Sequence, residues 1–420
     1  MAITDLLSSR LIALPLRNPN FGIYSIGNGL SLIGMWMQRI ALGWLAWQLT
    51  HSGLWLGIVA FADFFPVIVV GPVAGAVADR LDRLRVMKIS QVLQLIQAAT
   101  LFALTASGHI NIWLLVTLTA IQGVLVAFNQ PARLAFIPSL VTPPDLAAAV
   151  AINSVIFNLA RFIGPILAGL AIVWSGVAAA FAVNALSYLA FMWALARIDV
   201  EPETMEVAGH RSLGGDLMDG IKYTATHPGI GALLVLGIAL GAGGRPLNEL
   251  LPGFAADVYH SGAGGLSLLA SAIGGGAICG GLWLAHRPHS VGLTQVVLAN
   301  SLLSGLAAIA AIATDNIWIA VPSVVVMGFG ASVAGIGMQT MIQLATDRTM
   351  RGRVMGLYGL IFRGAPAVGA LGAGLVSAHL GLRWPVFIGA LLVIAVWLWT
   401  YLSRERIAAA MEAHDAGSVA

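Results

Sequence analysis

Residues 151–186 read AINSVIFNLARFIGPILAGLAIVWSGVAAAFAVNAL, and residues 356–391 read GLYGLIFRGAPAVGALGAGLVSAHLGLRWPVFIGAL. The two stretches align without a gap at an offset of 205 residues, with ten identical positions that include Gly164/Gly369, Gly169/Gly374 and Gly176/Gly381. Each stretch is almost entirely apolar and long enough for two helices that cross a lipid bilayer. The sequence therefore predicts two related helical halves.

The composition of the whole chain agrees with a membrane protein. Of 420 residues, 59% are hydrophobic and 9% are charged, whereas a soluble globular chain carries about 25% charged residues. Too few charges are present to cover a water-exposed surface, which excludes a soluble protein. The net charge of +3 is small, so a nucleic-acid partner is not expected.

Twelve stretches of about 20 predominantly apolar residues are predicted to span the bilayer. They lie near 21–47, 54–77, 87–106, 110–132, 147–174, 177–196, 229–251, 264–285, 291–313, 317–343, 354–379 and 384–402. We predict an all-α membrane protein with twelve transmembrane helices in two six-helix, pseudo-symmetric bundles. The predicted domains are an N-terminal bundle (1–196), a cytoplasmic linker with an amphipathic helix (197–228), a C-terminal bundle (229–403) and a cytoplasmic tail (404–420).

The loop between the second and third spans contains Gly75-Ala-Val-Ala-Asp79-Arg80-Leu-Asp82-Arg83-Leu-Arg85. This run resembles the signature of the major facilitator superfamily, although that family usually has glycine at the position of Asp82. Charge-assisted bonds between the aspartate and the arginines would latch the cytoplasmic side. The alternative is a cluster of positive charge that only fixes the topology.

Two further runs narrow the resemblance. Gly164-Pro165 through Gly169 in the fifth span resembles the antiporter motif of drug exporters in that superfamily, the alternative being an ordinary proline kink. The run from Phe128 to Val141, with Met37-Gln38-Arg39 and Leu251-Pro252, is similar to the transmembrane secretion effector branch, which includes enterobactin exporters and macrolide-efflux-like proteins. Asn129 stands where that branch often has aspartate, so a proton role is not expected there.

The resemblance implies the major facilitator fold, a location in the bacterial cytoplasmic membrane, and export of a small organic molecule of the siderophore or hydrophobic drug class. It also implies alternating access with proton antiport. An importer or a lipid or lysolipid flippase on the same fold stays an alternative, and a membrane-embedded enzyme is a weaker one. The expected partners are the substrate, protons and the bilayer, with a monomeric chain.

An ionisable side chain at the centre of a membrane helix costs about 2.5–3.5 kcal/mol on insertion scales, so such residues are usually paired or functional. Counting 1.5 Å per residue places Arg39 and Asp63 at similar depths, about 12–14 Å below the outer surface. We expect Asp63 to carry the coupled proton and Arg39 to oppose its protonation. A permanent ion pair that holds the first two helices together is the alternative.

Other polar residues are candidates for the substrate cavity or a gate. Arg245 and Glu249 follow the glycine-rich run 241–244, which should weaken the helix there and form a moving gate. Arg161 and Arg363 would suit an anionic or carbonyl-rich substrate, or would bond backbone carbonyls freed by the nearby prolines. Asn129 and Gln130 complete the set.

No sequence pattern indicates an enzyme or a cofactor. The two lysines, Lys88 and Lys222, follow no glycine-rich phosphate loop, so ATP-driven transport is not expected. The nine histidines are scattered and Cys279 is the only cysteine. We therefore expect no metal site, no cofactor and no catalytic residues.

The distribution of positive charge predicts the topology. With twelve spans and a cytoplasmic N-terminus, sixteen of the 21 Lys and Arg residues fall inside, four lie within spans, and Arg383 alone lies in an outside loop. A reporter that is active only in the periplasm, fused after Ala420, should be silent. The same reporter fused in the loop of Arg383 should be active, and the reverse pattern would contradict the twelve-span topology.

Overall fold

The computed structural model describes residues 14–15, 17–78, 81–200, 213–287 and 292–416. Those residues are predominantly helical, and they contain no strand. The helices are α1 (Pro19–Thr50), α2 (Gly53–Ala78), α3 (Arg83–Ala106), α4 (Ile112–Leu140), α5 (Leu146–Ser175), α6 (Val177–Arg197), α7 (Leu213–Thr226), α8 (Ile230–Val258), α9 (Gly262–Ala285), α10 (Leu293–Ile312), α11 (Ile317–Ala345), α12 (Arg351–Leu380), α13 (Arg383–Leu402) and α14 (Arg404–Ala416).

Eleven of the described helices are long and apolar enough to cross a membrane. The other long helix is α1, whose 32 residues extend over about 48 Å at 1.5 Å per residue. Its lower hydropathy follows from polar side chains such as Asn28, Gln38 and Arg39. With α1, the described helices provide the twelve predicted spans, and the all-α membrane fold is confirmed.

The chain divides into two compact units. The first comprises Met1–Leu49 and Phe65–Ala208, and the second comprises Thr50–Phe64 and Gly209–Ala420. The continuous helix α2 is therefore shared: its first part belongs to the second unit and its remainder to the first. Within the second unit, Gly57 of α2 lies so close to Ala370 and Gly374 of α12 that a Cβ would clash with their backbone.

A chain of buried amides connects four helices in the interior of the first unit. The Asn184 side chain donates to Gln38 Oε1 at 2.7 Å, and Gln38 Nε2 donates to Gln97 Oε1 at 3.2 Å. Gln97 Nε2 then donates to the Leu118 carbonyl at 3.0 Å. Lipid offers no hydrogen-bond partners, so each amide needs the others to satisfy its polar atoms. This series of hydrogen bonds fixes how α1, α3, α4 and α6 pack.

Two short helices outside the spans, α7 and α14, pack against the other helices of the second unit. On α7, Asp219 forms an ion pair with Arg353 at 3.3 Å and the Tyr223 hydroxyl bonds Asp347 Oδ2 at 3.1 Å. On α14, the Glu412 carboxylate accepts hydrogen bonds from the backbone N–H groups of Gly292 and Thr294. That carboxylate satisfies donors at the start of α10 that would otherwise have no partner within the helix.

Equivalent glycines join the last two spans of each repeat. Gly176 lies between α5 and α6 with φ 81° and ψ 171°, and Gly381 lies between α12 and α13 with φ 85° and ψ 172°. Only glycine adopts this region of backbone space readily. The offset of 205 residues found in the sequence therefore relates two turns of the same conformation.

Replacing either glycine by alanine should destabilise the protein through its backbone alone. No atom lies within 4 Å of where a Cβ would stand at Gly176 or Gly381, so the cost of about 1–3 kcal/mol comes from the unfavourable φ and ψ. Thermal unfolding of purified Gly176→Ala and Gly381→Ala should show lowered midpoints.

Gly356 provides the matched control for this pair. It lies inside α12, also has open space around it, and should be neutral or slightly stabilising as alanine because alanine favours a helix. Equal unfolding midpoints for all three variants would contradict the backbone explanation.

Candidate functional site

A cluster of aromatic and basic side chains lies where α1 meets α5 in the first unit. The guanidinium carbon of Arg39 is 5.5 Å from the centre of the Trp36 ring, and that of Arg161 is 5.8 Å from the same ring. Phe157 packs edge-on against Trp36 with the ring centres 6.1 Å apart. Two residues that the sequence singled out separately, Arg39 and Arg161, are therefore brought to one tryptophan.

Glycine in the antiporter-like motif allows this contact between the helices. A Cβ on Gly164 would lie 2.5 Å from Trp36 Cβ and 3.2 Å from the Ile33 carbonyl oxygen. Gly164, Pro165 and Gly169 are all buried, and α5 continues helically past the proline. Gly164 of this motif thus lets α5 pack closely against α1 beside Trp36, and the role of the motif in antiport stays a prediction.

The glycine-rich run in the second unit is a π-helical turn, Leu240–Gly244. The predicted departure from regular α-helix is present, but the segment is tightly packed: Ala242 lies against Gly369 of α12 and Gly243 against Gly389 of α13. Removing side chains lets the backbones approach closely. Immediately afterwards the Arg245 guanidinium lies 5.5 Å from the Phe362 ring, which stacks on Tyr358.

The remaining intramembrane charges occupy different surroundings. Asp63 is half-buried on α2, three residues before Pro66, and Glu249 is half-buried on α8. Arg363 is exposed on α12. All three make further contacts within the protein. The proton role of Asp63, its pairing with Arg39 and the gate at Arg245 and Glu249 stay predictions.

Part of the latch motif can be located. Asp79 and Arg80 lie outside the described residues, and Gly75 has open space where a Cβ would stand. Asp82, which replaces the family's glycine, caps α3 by accepting from the Leu84 N–H at 3.0 Å. Arg83 donates to the Ala135 carbonyl at 3.0 Å, whereas Arg85 is exposed. Asp82 therefore has a structural role as the N-cap of α3.

The fourth helix extends beyond its predicted end at residue 132. It continues through Pro131 and Pro138 to Leu140, so Arg133 lies on the helix and not in a loop, with its guanidinium 5.1 Å from the Phe191 ring. Asn129 is buried and its side-chain nitrogen has no hydrogen-bond partner among the described residues, while Gln130 is half-buried and has one or more contacts.

Within the described ranges, no group of three or more His, Cys, Asp or Glu side chains is placed to hold a metal ion.

Comparison with known proteins supplies the wider context. The model of the transmembrane secretion effector family matches residues 12–418. A staphyloferrin A transporter of Staphylococcus aureus is 25% identical over 92% of this chain and 97% of the relative. Macrolide efflux protein A of Streptococcus pyogenes is 22% identical over 87% of this chain and 92% of the relative.

The fold also matches a solved structure. A variant of the nucleoside transporter NupG superposes with a TM-score of 0.75 at 13% identity, covering 92% of this chain and 99% of that one. Identity at this level supports the major facilitator fold alone. Together with the family match over nearly the whole chain, it shows that the chain belongs to the transmembrane secretion effector family of major facilitator proteins and is a membrane transporter, not an enzyme.

Proposed function

We propose that the protein is a secondary active transporter that exports a small organic molecule of the siderophore or hydrophobic drug class by proton antiport and alternating access. Relatives named for staphyloferrin A transport and for macrolide efflux support the substrate range and the direction. The orientation predicted from the loop charges places both termini in the cytoplasm of a bacterial cell, with the chain in its inner membrane as a monomer.

The observation that carries this proposal is the division of α2. The helix is continuous from Gly53 to Ala78, yet the boundary between the two compact units falls between Phe64 and Phe65. Asp63 stands next to that boundary, and Pro66 removes a backbone hydrogen bond just beyond it. We infer that alternating access bends or shifts α2 near this boundary and so changes the surroundings of Asp63, a titratable group.

Asp63 has the chemistry that proton coupling requires. A carboxyl group that is desolvated in one state and solvated or paired in the other binds a proton in the first and releases it in the second. Among the acidic residues within the predicted spans, Asp63 is the farthest from a predicted span end. In this scheme Arg245 and Glu249 belong to a gate, and Gly75, Asp79, Arg80, Arg83 and Arg85 form the cytoplasmic latch.

The Asp63→Asn variant should separate coupling from binding. Reconstituted vesicles carrying the variant should lose substrate accumulation driven by a pH gradient, while substrate binding and energy-independent exchange survive. The substrate for this assay is first chosen by thermal shift from siderophores, macrolides, cationic dyes and lysolipids, since a ligand that binds the folded state raises its unfolding temperature.

Asp257→Asn is the matched control, because Asp257 is an exposed acid at the outer end of α8 and should leave accumulation intact. If Asp63→Asn still concentrates substrate under a proton gradient, Asp63 is not the proton carrier. If it instead loses stability, and neutralising Arg39 restores that stability, the pair is structural.

A further inference from the structure

A histidine closes the junction between α7 and α8. His227 is followed by Pro228 and Gly229, and α8 begins at Ile230. The His227 Nδ1 atom accepts hydrogen bonds from the backbone N–H groups of Gly229 and Ile230, both at 3.2 Å. The first N–H groups of a helix have no acceptor within the helix. The imidazole of His227 therefore caps α8.

The local sequence explains why the cap comes from His227. Pro228 has no N–H and disfavours a helical conformation of the residue before it, so α7 ends at Thr226 and His227 lies between the two helices. Gly229, at the N-cap position of α8, has no side chain that could accept a hydrogen bond. The acceptor must therefore come from another residue, and His227 supplies it.

The His227 ring also takes part in the docking of α7. It packs against the Tyr223 ring one turn earlier, with the ring centres 6.0 Å apart. The Tyr223 hydroxyl donates to Asp347 Oδ2 at 3.1 Å and accepts from the Asp347 N–H at 3.3 Å. Asp347 lies between α11 and α12. One side chain thus contacts both the start of α8 and the residue that holds α7 on the second unit.

The cap requires a neutral imidazole. Because two backbone N–H groups donate to Nδ1, the ring proton must be on Nε2. Protonation of Nδ1 replaces this acceptor by a donor, and it places a positive charge at the positive end of the α8 dipole. The hydrogen bonds to Gly229 and Ile230 are therefore incompatible with a charged His227.

The surroundings of His227 favour the neutral form. Desolvation by burial lowers the pKa of His227 from its ordinary value of 6.5, and the charge of Asp347 opposes that shift. The nearby charges on α7 and α14 are engaged: Asp219 pairs with Arg353, and the Glu412 carboxylate is hydrogen-bonded at the start of α10. Since the pKa in the folded state is lowered, the cap is complete above pH 6.5 and is lost as the pH falls through the lowered value.

We propose that His227 is a pH-sensitive switch, which holds the end of α7 and the start of α8 in place at neutral pH and releases them when its imidazole is protonated. In the predicted topology this junction faces the cytoplasm. Acidification there would increase the mobility of the segment that connects the two predicted halves. The switch acts through backbone hydrogen bonds and needs neither a substrate nor a proton gradient.

Solid-state NMR of the protein with ¹⁵N-labelled histidine in liposomes tests the cap directly. The chain has nine histidines, and the signals of His227 are those missing from the spectrum of His227→Asn. At pH 8 we expect an unprotonated Nδ1 and a protonated Nε2, and the titration midpoint should lie below 6.5. A protonated Nδ1 at pH 8, or a midpoint above 6.5, would overturn the proposal.

Hydrogen exchange of the backbone over residues 223–235 tests the release, because exchange reports local opening. His227→Asn keeps an acceptor oxygen that does not titrate, whereas His227→Phe keeps an aromatic ring beside Tyr223 but has no acceptor. At pH 7.5, His227→Phe should exchange about fivefold faster than wild type, and His227→Asn as slowly as wild type. Well below the NMR midpoint, wild type should exchange as fast as His227→Phe, while His227→Asn stays protected.

His286→Asn is the matched control. His286 is exposed at the end of α9, and its substitution should leave exchange at the junction as in wild type at both pH values. If wild type at low pH stays as protected as His227→Asn, the histidine is not a switch. This comparison decides the matter even if His227→Phe does not fold. None of these measurements involves transport, so their outcome is separate from that of Asp63→Asn.

Discussion

Backbone contact between helices at glycine is the constraint on which this structure depends. In a bilayer no hydrophobic effect draws helices together, so they associate through close packing and hydrogen bonds. Gly164 lets α5 reach Trp36 and Ile33 of α1, and its repeat partner Gly369 lets α12 reach Ala242 of the π-helical turn. Each of these positions has no room for even a methyl group. Glycines, which have no side chain, therefore determine how closely the helices that carry the candidate site can pack.

The same environment explains why polar residues occur in connected groups. The side chains of Gln38, Gln97 and Asn184 hydrogen-bond one another inside the first unit, since an amide without a hydrogen-bond partner in lipid is unfavourable. Arg39 follows Gln38 directly on α1, but its guanidinium lies over the Trp36 ring and not in the amide network. Of these two adjacent residues, Gln38 holds the helices together and Arg39 belongs to the Trp36 cluster. A substitution of Gln38 would therefore disturb the cluster indirectly.

Part of the fold could be predicted from the sequence. The spans follow from hydropathy, and the repeat pairs Gly176/Gly381 and Gly164/Gly369 follow from one offset, because local composition and helix length set them. Contacts between segments that are distant in the sequence could not be predicted in this way. Nothing in the spacing of Trp36 and Arg161 shows that they meet, and the predicted fourth span ends at residue 132, whereas the helix continues to Leu140. In a membrane, prolines are tolerated within helices where neighbours satisfy the freed backbone groups, so a helix such as α4 can continue through Pro131 and Pro138.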